Sequence, residues 1–106
     1  MLPFSKARQI AETWVAVMTD GDAEIVREAV ETKPYGWIFG FQSSEYLRDP
    51  SNISAALAGN APFIVNRING EIRVLGIVNF EETLSEYERS LPRGWRQFGP
   101  EYPKWD

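Results

Sequence analysis

Residues 35–42, Tyr35-Gly36-Trp37-Ile38-Phe39-Gly40-Phe41-Gln42, constrain this chain more than any other stretch. Four aromatic residues take every second position, with glycine, isoleucine or glutamine between them. Successive side chains of a β-strand point to opposite faces, so the spacing predicts a strand with all four rings on one side. Glycines on the other side let a second backbone approach closely. Two uses fit such a strand: a buried core element, or an aromatic recognition face. Lys33-Pro34 just upstream is a turn signal. Residues 24–32, where Ile25, Val26, Ala29 and Val30 are mixed with charged residues, are readable as helix or strand, and the turn and strand that follow favour a strand.

The flanking segments read more simply. Ala7, Ile10, Ala11, Trp14, Val15 and Met18 recur at three- and four-residue spacing, which predicts an amphipathic helix capped by Ser5 and closed by Asp20-Gly21. Residues 43–52 read as loop with one helical turn near Glu45–Arg48. Ser51 or Asn52 can cap a short helix through Ala58, with Gly59 as its stop. Phe63-Ile64-Val65 and residues 72–78 read as two strands, and Asn69-Gly70 between them is a hairpin signal because both residues tolerate positive φ. Asn79 can cap a last helix from Phe80 to about Ser90, with Glu82 placed as in a capping box and Leu84, Tyr87 and Leu91 as its buried stripe. The tail contains Trp95, Phe98, Tyr102 and Trp105, too much apolar surface to leave in water, and is expected to wrap back.

These elements give an α+β fold: an N-terminal helix packed on a four-stranded, mostly antiparallel sheet, in the order α-β-β-α-β-β-α, with an irregular aromatic tail. The expected organisation is one domain over residues 1–91, with 92–106 packed back on it. Strand order and oligomeric state stay open, since an edge strand can also pair with a second copy.

The chain has 106 residues, no cysteine and no histidine, and a formal charge of −4. Without cysteine there is no disulfide or thiolate chemistry, which fits a reducing compartment. Without histidine the usual neutral-pH acid–base group is missing, and nucleophiles activated by histidine are excluded. The acidic balance argues against a nucleic-acid partner. Residues 1–88 hold 13 acids against 7 bases, a net of −6, so a partner with a basic surface suits the body best. No stretch approaches the ~20 apolar residues of a membrane span, and residues 1–6 run into a charged helical pattern without an apolar signal core. The expectation is a cytoplasmic protein with no cofactor and no metal.

Three motifs invite chemistry and fall short of it. Asp20-Gly21-Asp22-Ala23-Glu24 resembles the start of a calcium loop, but Ile25 stands where that loop requires glycine for its turn. Gly36-Trp37-Ile38-Phe39-Gly40 puts bulky residues where a phosphate loop needs bare backbone. Leu57-Ala58-Gly59-Asn60-Ala61-Pro62 lacks a following lysine, and Pro62 has no backbone donor, so it reads as scaffold rather than a ligand cradle. Paired carboxylates could do acid–base work, yet none is embedded in an apolar segment. One charge cluster stands out: Glu81, Glu82, Glu86 and Glu88 on the last helix. Glu82 and Glu86, four apart, repel each other by a few tenths of a kcal/mol. The cluster either keeps the chain soluble or forms an acidic docking face that steers a basic partner.

The order of motifs resembles the immunity protein 35 family, small bacterial domains found beside polymorphic toxins. The resemblance rests on the amphipathic helix, Tyr35 to Ser43, Leu57 to Val65, the Asn69-Gly70 turn and Tyr87-Glu88, and covers roughly residues 5–90. Ala61 departs from the second glycine expected before the proline. The resemblance implies a non-enzymatic protein that binds and neutralises a cognate toxin, and it supplies no catalytic residues. A different reading is a general protein-binding or chaperone-like module using exposed Trp95 and Trp105.

Overall fold

Two neighbouring strands carry the centre of the fold, which a computed structural model describes for residues 1–105. In β3 (Gly36–Phe39) and β5 (Phe63–Asn66) every residue is buried. They pair antiparallel, Trp37 opposite Val65 and Ile38 opposite Ile64. Period-two alternation then sorts their side chains between two cores. Trp37, Phe39, Phe63 and Val65 face one core and Ile38 and Ile64 the other. Burial on both faces is why Phe63-Ile64-Val65 is a continuous apolar run instead of an alternating one.

Helix α1 (Phe4–Met18) covers the first face with Phe4, Ala7, Ala11 and Val15. Its alanines allow close approach, and Phe4 meets Trp37 edge-on with ring centres 5.4 Å apart. Helix α3 (Phe80–Ser90) covers the second face through Leu84 and Tyr87. The central sheet runs β2 (Glu31–Lys33), β3, β5, β6 (Ile72–Val74), all antiparallel. The α+β class, the N-terminal helix on an antiparallel four-stranded sheet and the span of α3 are therefore as expected.

The structure departs from expectation where the chain bends. The strand expected at residues 24–32 divides into β1 (Ala23–Ile25) and β2, separated by a 3₁₀ turn at Arg27–Ala29. Its partner divides too, into β3 and β4 (Phe41–Ser43), and β1 pairs only with β4 in a separate two-stranded sheet. The two strands form one bent ribbon: Val26 N–H still donates to Gly40 O at 2.9 Å, and between the pairs Ile25–Phe41 and Glu31–Ile38 the five residues 26–30 on one side face only Phe39 and Gly40 on the other. Unequal lengths force the bend, as in a β-bulge.

Tyr35 is consequently not on the same face as the other three rings. It occupies the two-residue turn between Lys33 and Gly36 and joins the α3 core, whereas Phe41 stays with α1. Gly36 does permit close approach, since a Cβ there would collide with the Val65 carbonyl. Gly40 is less constrained, with only the Ala29 Cβ in ordinary contact.

Several turn and cap assignments change for local reasons. Phe4, not Ser5, opens α1, after Pro3; proline has no N–H to leave orphaned near a helix start. Met18, the last residue of α1, is exposed instead of joining the apolar stripe. Only Ile53–Ala55 of the expected short helix forms, as a 3₁₀ turn, so Gly59 (φ +74) turns extended chain. The hairpin after β5 has a four-residue loop, closed by Asn66 N–H to Glu71 O, and only Gly70 is left-handed. Asn69 instead accepts from the Glu71 amide at 2.9 Å. β6 is shorter than residues 72–78 because Gly76 N–H leaves the ladder for Thr83 Oγ1. Asn79 makes no side-chain cap, so the capping box with Glu82 does not form.

Residues 92–105 pass through a 3₁₀ turn at Arg93–Gln97 and then run irregularly along the α1 end of the molecule. Trp95 packs against the α3 core, and Trp105 packs on Phe4 at 5.0 Å. The free aromatic surface that the chaperone-like reading assigned to Trp95 and Trp105 is thus half-buried against the protein itself.

Candidate functional site

The inward stripe of α3 fixes what its outer face presents. With Leu84 and Tyr87 turned into the core, Glu81, Glu82, Ser85, Glu86 and Arg89 project outward and line a shallow groove of about 460 Å³. Glu81 and Glu82 lie in the first turn, where the helix N-terminus favours negative charge. Glu86 lies a turn further on without that compensation. No ion pair within 4.0 Å involves these three glutamates among the described residues.

Glu88 does not share this face. It follows Leu84 by four residues and is half-buried beside the core. There it accepts a hydrogen bond from the Tyr35 hydroxyl at 2.7 Å. Burial pushes the Tyr35 hydroxyl far above the usual tyrosine range, and the hydrogen bond to Glu88 and its charge push the same way. The neighbouring Tyr87 hydroxyl is also raised by burial, opposed in part by the hydrogen bond it accepts from Asn66 Nδ2 at 2.8 Å. The structure therefore brings three of the four expected residues together and gives the fourth a place in the second core.

A second acidic surface was not singled out by the sequence. Asp22, Glu24 and Glu45, with Arg48, line a groove of about 710 Å³ where the β1–β4 sheet meets α2 (Ser44–Arg48). In the sequence Asp22 and Glu24 stand out only as part of the calcium-like stretch. Their juxtaposition with Glu45 needs the pairing of Ala23 with Ser43, which places the start of α2 beside β1. Ser43 sets that start by accepting from the Tyr46 amide. Among the described residues no group of three or more Asp or Glu side chains is arranged to hold a metal ion. No helix among them is long and apolar enough to cross a membrane.

The geometry defines a small three-layer α+β protein with acidic grooves on two of its surfaces. Residues 5–95 match the family model described as immunity protein 35, and the chain belongs to that family. It is also similar to the uncharacterized protein YrhB of Escherichia coli (strain K12), 39% identical over 72 residues, which cover 67% of this chain and 76% of that protein. No solved structure matches the chain.

Proposed function

We propose that this protein is an immunity protein without catalytic activity that binds a cognate bacterial toxin and blocks it sterically or electrostatically, in the cytoplasm of the cell that makes both. Membership of the immunity protein 35 family supports this reading. The observation that carries the docking mode is the exposed trio Glu81, Glu82 and Glu86 on the outer face of α3, without a neutralising ion pair among the described residues. Such a face suits a toxin with a basic surface, because unneutralised like charge steers an oppositely charged partner into encounter. Glu88 takes no part in that contact on this reading, since its carboxylate serves Tyr35.

The direct test is co-purification of the chain with the toxin domain encoded beside its gene. A stoichiometric complex at micromolar concentration, together with loss of toxicity, is the expected result. Absence of a complex at that concentration would remove the pairing.

A further inference from the structure

We propose that the groove at the N-terminal end of α1 is a binding site for an extended peptide bearing a carboxylate and, four residues on, an indole, and that the chain's own tail fills this site in cis. The tail shows what the groove takes. Glu101 accepts the Phe4 backbone N–H at 2.6 Å, at the positive end of a 15-residue helix, and also lies 3.8 Å from Arg67 Nη2. The Glu101 carbonyl accepts the Trp37 indole N–H at 2.7 Å, and Gly99 O accepts from Arg67 Nη1 at 2.7 Å. Four residues beyond Glu101, the Trp105 ring sits on Phe4 with the Arg8 and Arg27 guanidinium groups 5.1 and 5.2 Å from its centre.

Three features mark this as a receptor rather than a stretch of ordinary surface. First, basic side chains gather here in an acidic protein: of the 7 bases in a body of net −6, Arg27, Arg67 and Arg8, the last also paired with Glu12 at 3.2 Å, all converge on the tail. Second, Arg67 is only 8% exposed, and its Nε–H has no hydrogen-bond partner among the described residues. Nε and Nη2 form the side-on fork that holds a carboxylate with two parallel hydrogen bonds. Glu101 reaches only the Nη2 side, at ion-pair distance. The cis ligand leaves half of the fork unused, and a better-seated carboxylate would gain from it. Third, Arg8, Arg27, Trp37 and Arg67 lie within residues 5–95, which match the family, whereas the filler at 99–105 lies outside them. The inference does not depend on the toxin-docking face of α3, which is on the opposite side of the sheet.

The test uses the full chain carrying E101Q and W105A, so that the groove stays intact and its own ligand is weakened. The probe is a fluorescently labelled octapeptide with the sequence of residues 99–106, followed by anisotropy at low salt. The double variant should bind it, and replacing the peptide's glutamate by glutamine, or adding R67Q to the protein, should weaken binding about 10-fold, the scale of one charge-assisted hydrogen bond. The unmodified chain should bind about 10- to 100-fold more weakly, because a tethered tail competes at an effective concentration in the millimolar range. Should the double variant fail to show cooperative thermal unfolding, W105A alone serves for the same comparisons. No binding to a folded variant, or equal binding of the glutamine peptide, would overturn the proposal. So would a concentration-dependent dimer of the unmodified chain that the double variant loses, since the groove would then belong to a second copy's tail.

Discussion

The Tyr35 hydroxyl donates to the Glu88 carboxylate at 2.7 Å, joining the β2–β3 turn to the last turns of α3 across 53 positions of sequence. The Tyr35 and Tyr87 rings lie beside this bond, 5.8 Å apart. Together with the Asn66–Tyr87 hydrogen bond, the contact fastens α3 to the sheet across the second core.

The burial of Tyr35 and Tyr87 makes stability depend on pH at the alkaline end, and for Tyr35 the bond to Glu88 adds to it. Both tyrosine hydroxyls are raised in the folded protein, chiefly by burial. Below about pH 10, the ordinary tyrosine value, folded and unfolded chains both keep these protons and the stability is fully present. Above it the unfolded chain releases them while the folded chain holds them. Stability then falls with rising pH by up to about 1.4 kcal/mol per unit for each tyrosine. Urea midpoints measured from pH 8 to 11.5 should show this decline. Y35F should make it shallower while costing about 1–2 kcal/mol at pH 8, because Glu88 loses its donor. An unchanged slope in Y35F would place the alkaline sensitivity elsewhere.

Gly36 and Gly59 should respond very differently to alanine. A Cβ at Gly36 would run into the Val65 carbonyl, a backbone group in the centre of the sheet that cannot move aside cheaply. G36A should cost about 3 kcal/mol or more, at the severe end of single substitutions. Gly59 has φ +74, but a methyl group there would meet nothing within 4 Å, so G59A pays only the left-handed penalty of about 1–2 kcal/mol. Thermal unfolding of the two variants measures the difference directly.

Asn66 and Tyr87 should prove energetically coupled. Asn66 is fully buried, donates from Nδ2 to the Tyr87 hydroxyl at 2.8 Å and accepts the Ile68 amide through Oδ1 at 2.8 Å. N66A strands both partners and should cost about 2–3 kcal/mol. With Y87F already present it should cost about 1 kcal/mol less, since one stranded group is gone. A double-mutant cycle in urea checks this, and a coupling below about 0.3 kcal/mol would mean that the hydroxyl finds another partner.

How far the sequence could be read depended on the range of the contacts involved. α1 and α3 were legible because an apolar stripe at helical spacing requires only near neighbours. Glu88 stands four residues after Leu84 and three before Leu91, on the buried stripe, yet its place in a run of glutamates groups it with the charged face when only the sequence is read. The bent ribbon was not legible, because the apolar pattern of residues 24–32 and 35–42 carries no sign that one strand has three more residues than the other between their paired ends. Phe4 and Glu101 are 97 residues apart, and no local pattern links a helix start to a carboxylate at that distance. The acidic groove at Asp22, Glu24 and Glu45 failed to appear for the same reason, since it exists only once β1 pairs with β4.

Charge reversal on α3 separates docking from folding. E86K places a lysine four residues after Glu82, turning a repelling pair into an attracting one in the favourable orientation. Its effect on stability should be a gain of a few tenths of a kcal/mol at most. Association with a basic toxin should move the other way: E82K/E86K should lower the on-rate about 10-fold or more at low salt and flatten its dependence on ionic strength, while the off-rate changes less. E24K/E45K on the other acidic groove provides the comparison at equal charge change. Stopped-flow measurements across salt concentrations distinguish the two faces. If both double variants slow association equally, the steering comes from net charge and not from the outer face of α3; if only E24K/E45K does, the toxin docks at the β1–β4 groove.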